Sequence, residues 1–195
     1  MEADWEFEVG GDAPVIDACW PGFVDLRLNP ERALEFDEVA SFPGLAKALG
    51  CMNGAASPVW TVKCDVWRIT DRGEFDADEL DAPPECTAHA MGCYIDILPA
   101  GEQQWTTPHA ASVACIGFCD LLRVIPRRCC RADLIVRRAF LQADMGDLAA
   151  LGITAYFTAC GATKKSAEGA LEVALSAFAS ALVPQPTLQL KSMGE

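Results

Sequence analysis

The sequence predicts an α+β fold in which helices pack on one face of a largely antiparallel sheet. Residues 59–69 alternate as in a half-buried strand, with one face predicted to carry Trp60, Val62, Cys64 and Val66 and the other Thr61, Lys63, Asp65 and Trp67. Residues 166–183 carry the clearest helical pattern. A weak echo, in which Phe23–Leu26 and Tyr94–Ile97 each open a strand, helix and strand, suggests two similar units. We therefore expect a two-layer sandwich with a ferredoxin-like βαββαβ core, extended by a hairpin and a C-terminal strand and helix.

Turn and capping residues place the remaining elements. Trp20-Pro21-Gly22 predicts the turn of a hairpin within residues 14–28, and Asn53-Gly54 predicts a second turn. Asn29-Pro30 and Ser41-Phe42-Pro43 each combine a capping residue with a proline, which is typical of a helix start. The second of these helices is predicted to end near Gly50. Further strands are expected at 87–98, 130–141 and 152–160, a helix at 107–124, and a solvated acidic loop at 71–85.

The chain is predicted to form one domain over residues 1–195. The echo leaves open an internal duplication of 23–70 and 94–141, although four similar residues can also arise by chance. Residues 184–195, which follow the last predicted helix, are expected to be a loosely held tail.

Composition restricts the class of protein. The formal net charge is −13, with most acids in residues 1–104, which disfavours binding to nucleic acids and anionic membranes. The acidic N-terminus does not resemble a signal peptide, and no apolar stretch is long enough to span a bilayer, so we expect a cytoplasmic protein whose ten cysteines are reduced. A mean hydropathy of +0.17 is high for a monomer, and it favours a homodimer or a protein partner.

The predicted strands place aromatic, hydroxyl and carboxylate side chains on the sheet face that the helices leave open. Such a mixture is typical of a ligand cleft or an interface between proteins. The alternative is an ordinary amphipathic sheet surface stabilised by cross-strand pairs. The predicted ligand-binding or partner-binding residues are Phe23, Trp67, Tyr94, Tyr156 and Thr158.

Three carboxylates on this face are the candidate catalytic residues: Asp25, Asp65 and Asp96. If Asp25 and Asp96 lie on neighbouring strands, their mutual repulsion would raise one pKa and create a general base. The alternative is that all three are solvated carboxylates at strand edges.

Basic residues form two candidate anion-binding segments. Six arginines lie between residues 123 and 138, and guanidinium groups bind carboxylate and phosphate well. Two lysines stand where a strand meets the start of the last helix, although the glycines of a Walker A loop are missing. The alternatives are arginines that neutralise the acidic half of the chain and an ordinary capped helix. The predicted anion-binding residues are Arg127, Arg128, Arg131, Lys164 and Lys165.

No cofactor or metal site is predicted. Only His89 and His109 are present, no Cys-x-x-Cys pair occurs, and no nucleophile stands in a recognisable catalytic motif. We therefore expect a small binding or accessory protein that uses its open aromatic face for a ligand, a partner protein or self-association. The alternative is a small-molecule enzyme with an acidic general base on that face and an arginine-lined anion site.

Overall fold

A computed structural model describes residues 1–18, 20–101, 105–143 and 146–182 of the chain. The strands are β1 (Glu2–Glu8), β2 (Ile16–Asp17), β3 (Val59–Ile69), β4 (His89–Pro99), β5 (Cys130–Ala143) and β6 (Gly146–Gly161). The α-helices are α1 (Asp37–Ser41), α2 (Pro43–Met52), α3 (Pro108–Arg123) and α4 (Lys164–Leu182), and short 3-10 helices span Pro30–Glu35, Arg72–Glu74 and Pro84–Cys86.

The six strands form one mixed, mostly antiparallel sheet in the order β1-β5-β6-β4-β3, with β2 also paired to β5. The β3–β4, β4–β6 and β6–β5 pairs are antiparallel, whereas β1 and β2 run parallel to β5. The α+β class and the mostly antiparallel sheet are therefore confirmed. The specific ferredoxin-like arrangement is not, because the strand order is mixed.

Helices α2, α3 and α4 share one apolar core with one face of the sheet. Alternate residues of the central strands supply this core, and Ile95, Leu134 and Phe157 are almost completely buried in it. The Phe157 ring packs edge-on against Phe178 of α4, with 5.2 Å between ring centroids. Since side chains alternate along a strand, the intervening residues point to the opposite face, which we call the open face.

Strand β1 was not among the predicted elements. Its residues alternate between acids and the apolar Ala3, Trp5 and Phe7. In register with β5, Ala3 and Trp5 lie beside residues of the helix-side core, and the acids therefore line the open face. The alternation could have predicted this strand, but its parallel partner 129 residues away could not be identified from local sequence.

The predicted hairpin of residues 14–28 is wrong, and Phe23 and Asp25 do not lie on a strand. The turn itself is present, because the Phe23 amide donates to the Trp20 carbonyl at 3.1 Å. The segment then continues through a second turn, in which the amides of Leu28 and Asn29 donate to the Asp25 carbonyl at 3.2 Å. The first proposed repeat consequently lacks its opening strand. The duplication and the single-domain organisation remain predictions. The predicted tail at 184–195 lies outside the described residues.

Strand β3 has its predicted bounds, and Lys63, Asp65 and Trp67 lie on the predicted face, but the prediction is wrong for Trp60, Thr61 and Val62. A β-bulge shifts the register, so that Thr61 pairs with Ile97 while Lys63 pairs with Asp96. The extra residue reverses the alternation, which places Trp60 and Val62 on the open face and Thr61 on the helix side. Buried Asn53 holds the bulge from the end of α2: its Oδ1 accepts from the Thr61 amide at 3.0 Å, and its Nδ2 donates to Thr61 Oγ1 at 2.7 Å.

Candidate binding face

The register brings most of the predicted face residues together in three rows across four strands. Each row crosses β3, β4, β6 and β5 at nearly the same height on the open face. The rows are Trp67, Gly92, Thr158 and Arg131; Asp65, Tyr94, Tyr156 and Asp133; and Lys63, Asp96, Thr154 and Ile135.

Three aromatic side chains form a continuous line on this face, which we call the aromatic row: Trp67, Tyr94 and Tyr156. Their ring centroids are 6.4 Å and 5.9 Å apart, and all three are half-buried. Gly92 is required for this packing, because a Cβ at that position would lie 2.5 Å from the Trp67 ring. Burial, with the nearby Asp96 and Asp65 carboxylates, raises the pKa of Tyr94 to about 12, so its hydroxyl is neutral at physiological pH.

Two loops border the aromatic row. At the end of β4 near Leu98, residues 20–27 pack over the sheet. The Phe23 ring lies 6.0 Å from the Trp60 ring, and the Arg27 guanidinium lies 4.0 Å above it. At the other end of β4, the acidic loop inserts the buried Leu80 against Ala90 and Cys160. Tyr94 lies midway along β4 between these two small clusters, and the open face is therefore a groove rather than a flat surface.

A pocket of about 230 Å³ opens where β3 forms the edge of the sheet. Most of its lining is apolar, and Lys63 and Glu38 contribute its charged groups. The buried Trp20 Nε1 has no hydrogen-bond partner among the described residues. The aromatic and aliphatic lining residues are Trp20, Val24, Leu26, Phe36, Leu49, Val62 and Tyr94.

Asp96 is the most buried carboxylate of the open face, at 7% exposure. Its Oδ1 accepts from Thr154 Oγ1 at 2.5 Å, and Arg137 Nη1 donates to Thr154 Oγ1 at 3.2 Å. Burial raises the pKa of Asp96, against the opposing effects of the Thr154 hydrogen bond and of the Arg137 and Lys63 charges. A buried carboxylate with a raised pKa can exchange a proton nearer to neutral pH than an exposed one can.

The other two candidate catalytic carboxylates have different surroundings. Asp25 lies in the turn and pairs with Arg27 at 2.6 Å, and hydrogen bonds from Arg27 lower its pKa. The strands that flank Asp96 present Lys63 and Thr154 instead, so the predicted strand placement of Asp25 beside it is wrong. Asp65 is exposed in β3, where its Oδ1 accepts from the Val66 amide at 2.7 Å.

The arginine segment contacts acids of the same chain. Arg128 pairs with Asp81 at 2.7 Å, and Arg131 pairs with Asp133 at 2.8 Å and with Glu79 at 3.6 Å. These contacts support the alternative that the arginines neutralise the acidic half of the chain. Clustering in the sequence had indicated an anion site, but strand pairing places the segment beside carboxylates.

The remaining predicted anion-binding residues do not line one cavity. Arg127 borders a hollow between α3 and α4, whereas Lys164 borders a separate hollow near His89 and pairs with Glu168 at 3.6 Å. Lys165 is exposed on the first turn of α4. The start of α4 is itself capped, because the Ser166 amide donates to the side chain of Thr163 at 3.1 Å.

Sequence reasoning missed two contributors to this site. Trp20 lines the pocket from a turn, and no periodic pattern marks turn residues as ligand contacts. Arg137 reaches the hydroxyl groups of Thr154 and Tyr156 and pairs with Glu8 at 2.6 Å. Alternation along residues 130–141 could have placed Arg137 on the open face.

In the described part of the chain, no group of three or more His, Cys, Asp or Glu side chains is arranged to hold a metal ion. Among the same residues, no helix combines the length and apolar character needed to cross a membrane. The sequence matches no family model, and the searches of curated proteins and of solved structures found no significant similarity.

Proposed function

We propose that this protein binds a basic segment of a partner protein in the groove of its open face. The observation that carries the proposal is that Tyr94 belongs both to the pocket and to the aromatic row. A bound segment could therefore insert one apolar side chain into the pocket while its neighbours cross the rings. At interfaces between proteins, the residues that dominate the binding energy are often aromatic residues beside apolar pockets.

The charge of the groove favours a basic segment. Acids outnumber bases on the open face, and the acidic loop that borders it adds further carboxylates. Aromatic rings attract Lys and Arg side chains through cation–π contacts, and nearby carboxylates pair with the same groups. The acids of the face are Glu2, Asp4, Glu6, Glu8, Asp65, Asp96 and Asp133, and its bases are Lys63, Arg131 and Arg137.

The same features disfavour self-association through this face. A two-fold dimer places each patch against its own copy, so two acidic faces would repel each other. The bordering loops would also prevent two flat sheets from approaching closely. A homodimer through the open face is therefore the competing hypothesis. Light scattering would detect it as a doubled mass.

The test uses an array of synthetic peptides that share one central apolar residue and differ in flanking Lys, Ser or Glu. We expect retention of the Lys-flanked peptides, weakened by added salt because charge attraction is screened. Trp67→Ala and Tyr94→Ala should each weaken binding roughly tenfold or more. The control, Val113→Ala, changes an exposed apolar residue of α3. Equal retention of Lys-flanked and Glu-flanked peptides, or binding unaffected by both groove variants, would refute the proposal.

The second candidate is a small-molecule enzyme with Asp96 as general acid or base. It is favoured by the burial and raised pKa of this carboxyl beside the Thr154 hydroxyl. Asp96→Asn keeps an oxygen that can accept from Thr154 but cannot transfer a proton. An activity lost in this variant while peptide binding is retained would identify the enzyme, and activity retained in the variant would exclude Asp96 from that role.

A further inference from the structure

Three cysteines meet where the acidic loop reaches the sheet. Cys86 ends the 3-10 helix after this loop, Cys129 directly precedes β5, and Cys160 lies near the end of β6. The Cys129 amide donates to the Leu80 carbonyl at 2.8 Å, and the Cys160 amide donates to the Cys129 carbonyl at 2.9 Å. These two main-chain hydrogen bonds join Cys129 to the acidic loop and to Cys160, and the 3-10 helix that ends at Cys86 contacts β6.

The Cys129 thiol lies within hydrogen-bonding distance of the thiols of both Cys86 and Cys160, and it thereby connects the three cysteines. Cys86 and Cys129 are half-buried, whereas Cys160 is buried. A small reagent dissolved in water therefore reaches the first two sulfur atoms more easily than the third.

The surroundings also favour a link at this point. Arg128, the residue before Cys129, binds the loop through the Asp81 carboxylate and carbonyl at 2.7 Å and 3.1 Å. Burial and the neighbouring Cys86 thiol raise the pKa of Cys129, and the exposed Arg128 guanidinium opposes this increase only in part. Burial likewise raises the pKa of Cys160 to about 12, which disfavours Cys160 as the attacking thiolate.

We propose that Cys86 and Cys129 form an oxidisable pair that reacts with low-molecular-weight disulfides and locks the acidic loop to β5. The Cys86 thiolate attacks one sulfur of the small disulfide, which forms a mixed disulfide and releases one small thiolate. The Cys129 thiolate then attacks Cys86 Sγ, so the protein disulfide forms and the second small thiolate leaves. Both released thiolates take up the protons that the two cysteines lost. This proposal does not depend on what the groove binds.

The test exposes the reduced full-length chain to hydroxyethyl disulfide, removes the reagent, and maps disulfides and adducts by peptide mass analysis. We expect the wild-type chain to form one Cys86–Cys129 disulfide, while exposed thiols such as Cys51 each hold one small thiol as a mixed disulfide, and a reducing agent should reverse both reactions. Cys130→Ser and Cys160→Ser should form the same internal disulfide, and Cys51→Ser should form it with one adduct fewer. Cys86→Ser and Cys129→Ser should form no internal disulfide, and the remaining cysteine of the pair should instead hold a small thiol, detected by its added mass.

Three results would overturn the proposal: no internal disulfide in the wild type, an internal disulfide in Cys86→Ser, or its loss in Cys160→Ser. The last two results together would assign the pair to Cys129 and Cys160. Circular dichroism of each variant checks that it is folded, and Cys86→Ala replaces Cys86→Ser if the serine variant does not fold. Cys51 is the matched control because it is exposed and lies on α2, away from the cluster.

Discussion

The two faces of the sheet are built from alternate residues of the same strands, yet they carry different kinds of side chain. The helix side forms one large apolar core, in which Phe157 and Ile95 are almost completely buried. The open face instead carries aromatic rings, carboxylates and arginines between two small apolar clusters. The helix side therefore contains most of the buried apolar surface, and the open face presents polar and aromatic groups.

The largest expected effect compares neighbouring aromatic residues of β6. Phe157→Ala removes a ring packed against Phe178 and leaves a cavity, so it should lower the free energy of unfolding by about 3–5 kcal/mol. Tyr156→Ala removes a half-buried ring of the open face and should cost about 1 kcal/mol. Urea unfolding followed by circular dichroism measures both. Equal losses would contradict the division of roles between the two faces.

The second prediction concerns the bulge that switches side chains between the faces. Asn53→Ala leaves the buried Thr61 amide without its acceptor, which should cost about 1–3 kcal/mol. Ser57→Ala is the control, because the Ser57 hydroxyl makes only a 3.3 Å contact with the Val59 amide near the start of the strand. If Asn53→Ala unfolds at the wild-type urea concentration, the bulge does not depend on this side chain.

The sequence predicted those elements whose apolar and polar residues alternate within a single segment. It identified β3, β4, β5 and β6 and helices α3 and α4, because each shows periodicity within a single segment. It failed at Thr61, since a bulge is set by pairing with β4 and by Asn53, neither of which is visible in the β3 pattern. The sequence-based prediction also failed at Phe23. The segment that follows it, Val24-Asp25-Leu26, resembles a strand in sequence, but it forms no strand pair, and the Phe23 ring packs against the Trp60 ring.

For the candidate site, alternation correctly grouped Trp67, Tyr94 and Tyr156 on one face. It could not supply the pocket, which is formed by turn and helix residues such as Trp20 and Phe36 that lie outside the strands. The functional assignment of this face remains a prediction. Long-range contacts of loops decide the shape of a groove, and a single sequence contains no direct record of them.

A third prediction tests whether the aromatic row needs its glycine. Gly92→Ala places a Cβ 2.5 Å from the Trp67 ring, so the ring must shift, and we expect a loss of about 1–2 kcal/mol. The double variant Gly92→Ala with Trp67→Ala should recover part of this loss, because the obstructing ring is gone. Gly117→Ala, at an open helical position of α3, is the control and should stabilise the protein by up to about 1 kcal/mol. Additive effects of the two groove changes, measured by urea unfolding, would show that the ring and the glycine are not coupled.

The smallest effect is expected from the charge of Asp96, and it depends on pH. Burial raises the pKa of Asp96 in the folded protein above its usual 3.8, so between these two values the folded state holds a proton that the unfolded state has lost. The stability that Asp96 contributes is therefore complete below pH 3.8 and decreases as the pH rises through the folded value. Asp96→Asn does not titrate, and the free energy of unfolding of the wild type relative to this variant should fall with rising pH and then level off.

Asp25→Asn provides the opposite sign. Hydrogen bonds from Arg27 lower the pKa of Asp25, so its contribution is present above pH 3.8 and is lost as the pH falls through the lowered value. Urea unfolding of the wild type and both variants at a series of pH values separates the two carboxyls. The general repulsion among the acids of this chain affects all three proteins similarly and cancels in the differences. A wild-type advantage over Asp96→Asn that grows with rising pH would mean that Lys63 and Arg137 outweigh burial, and the open face would then hold a permanently ionised carboxylate instead of one that can take up a proton.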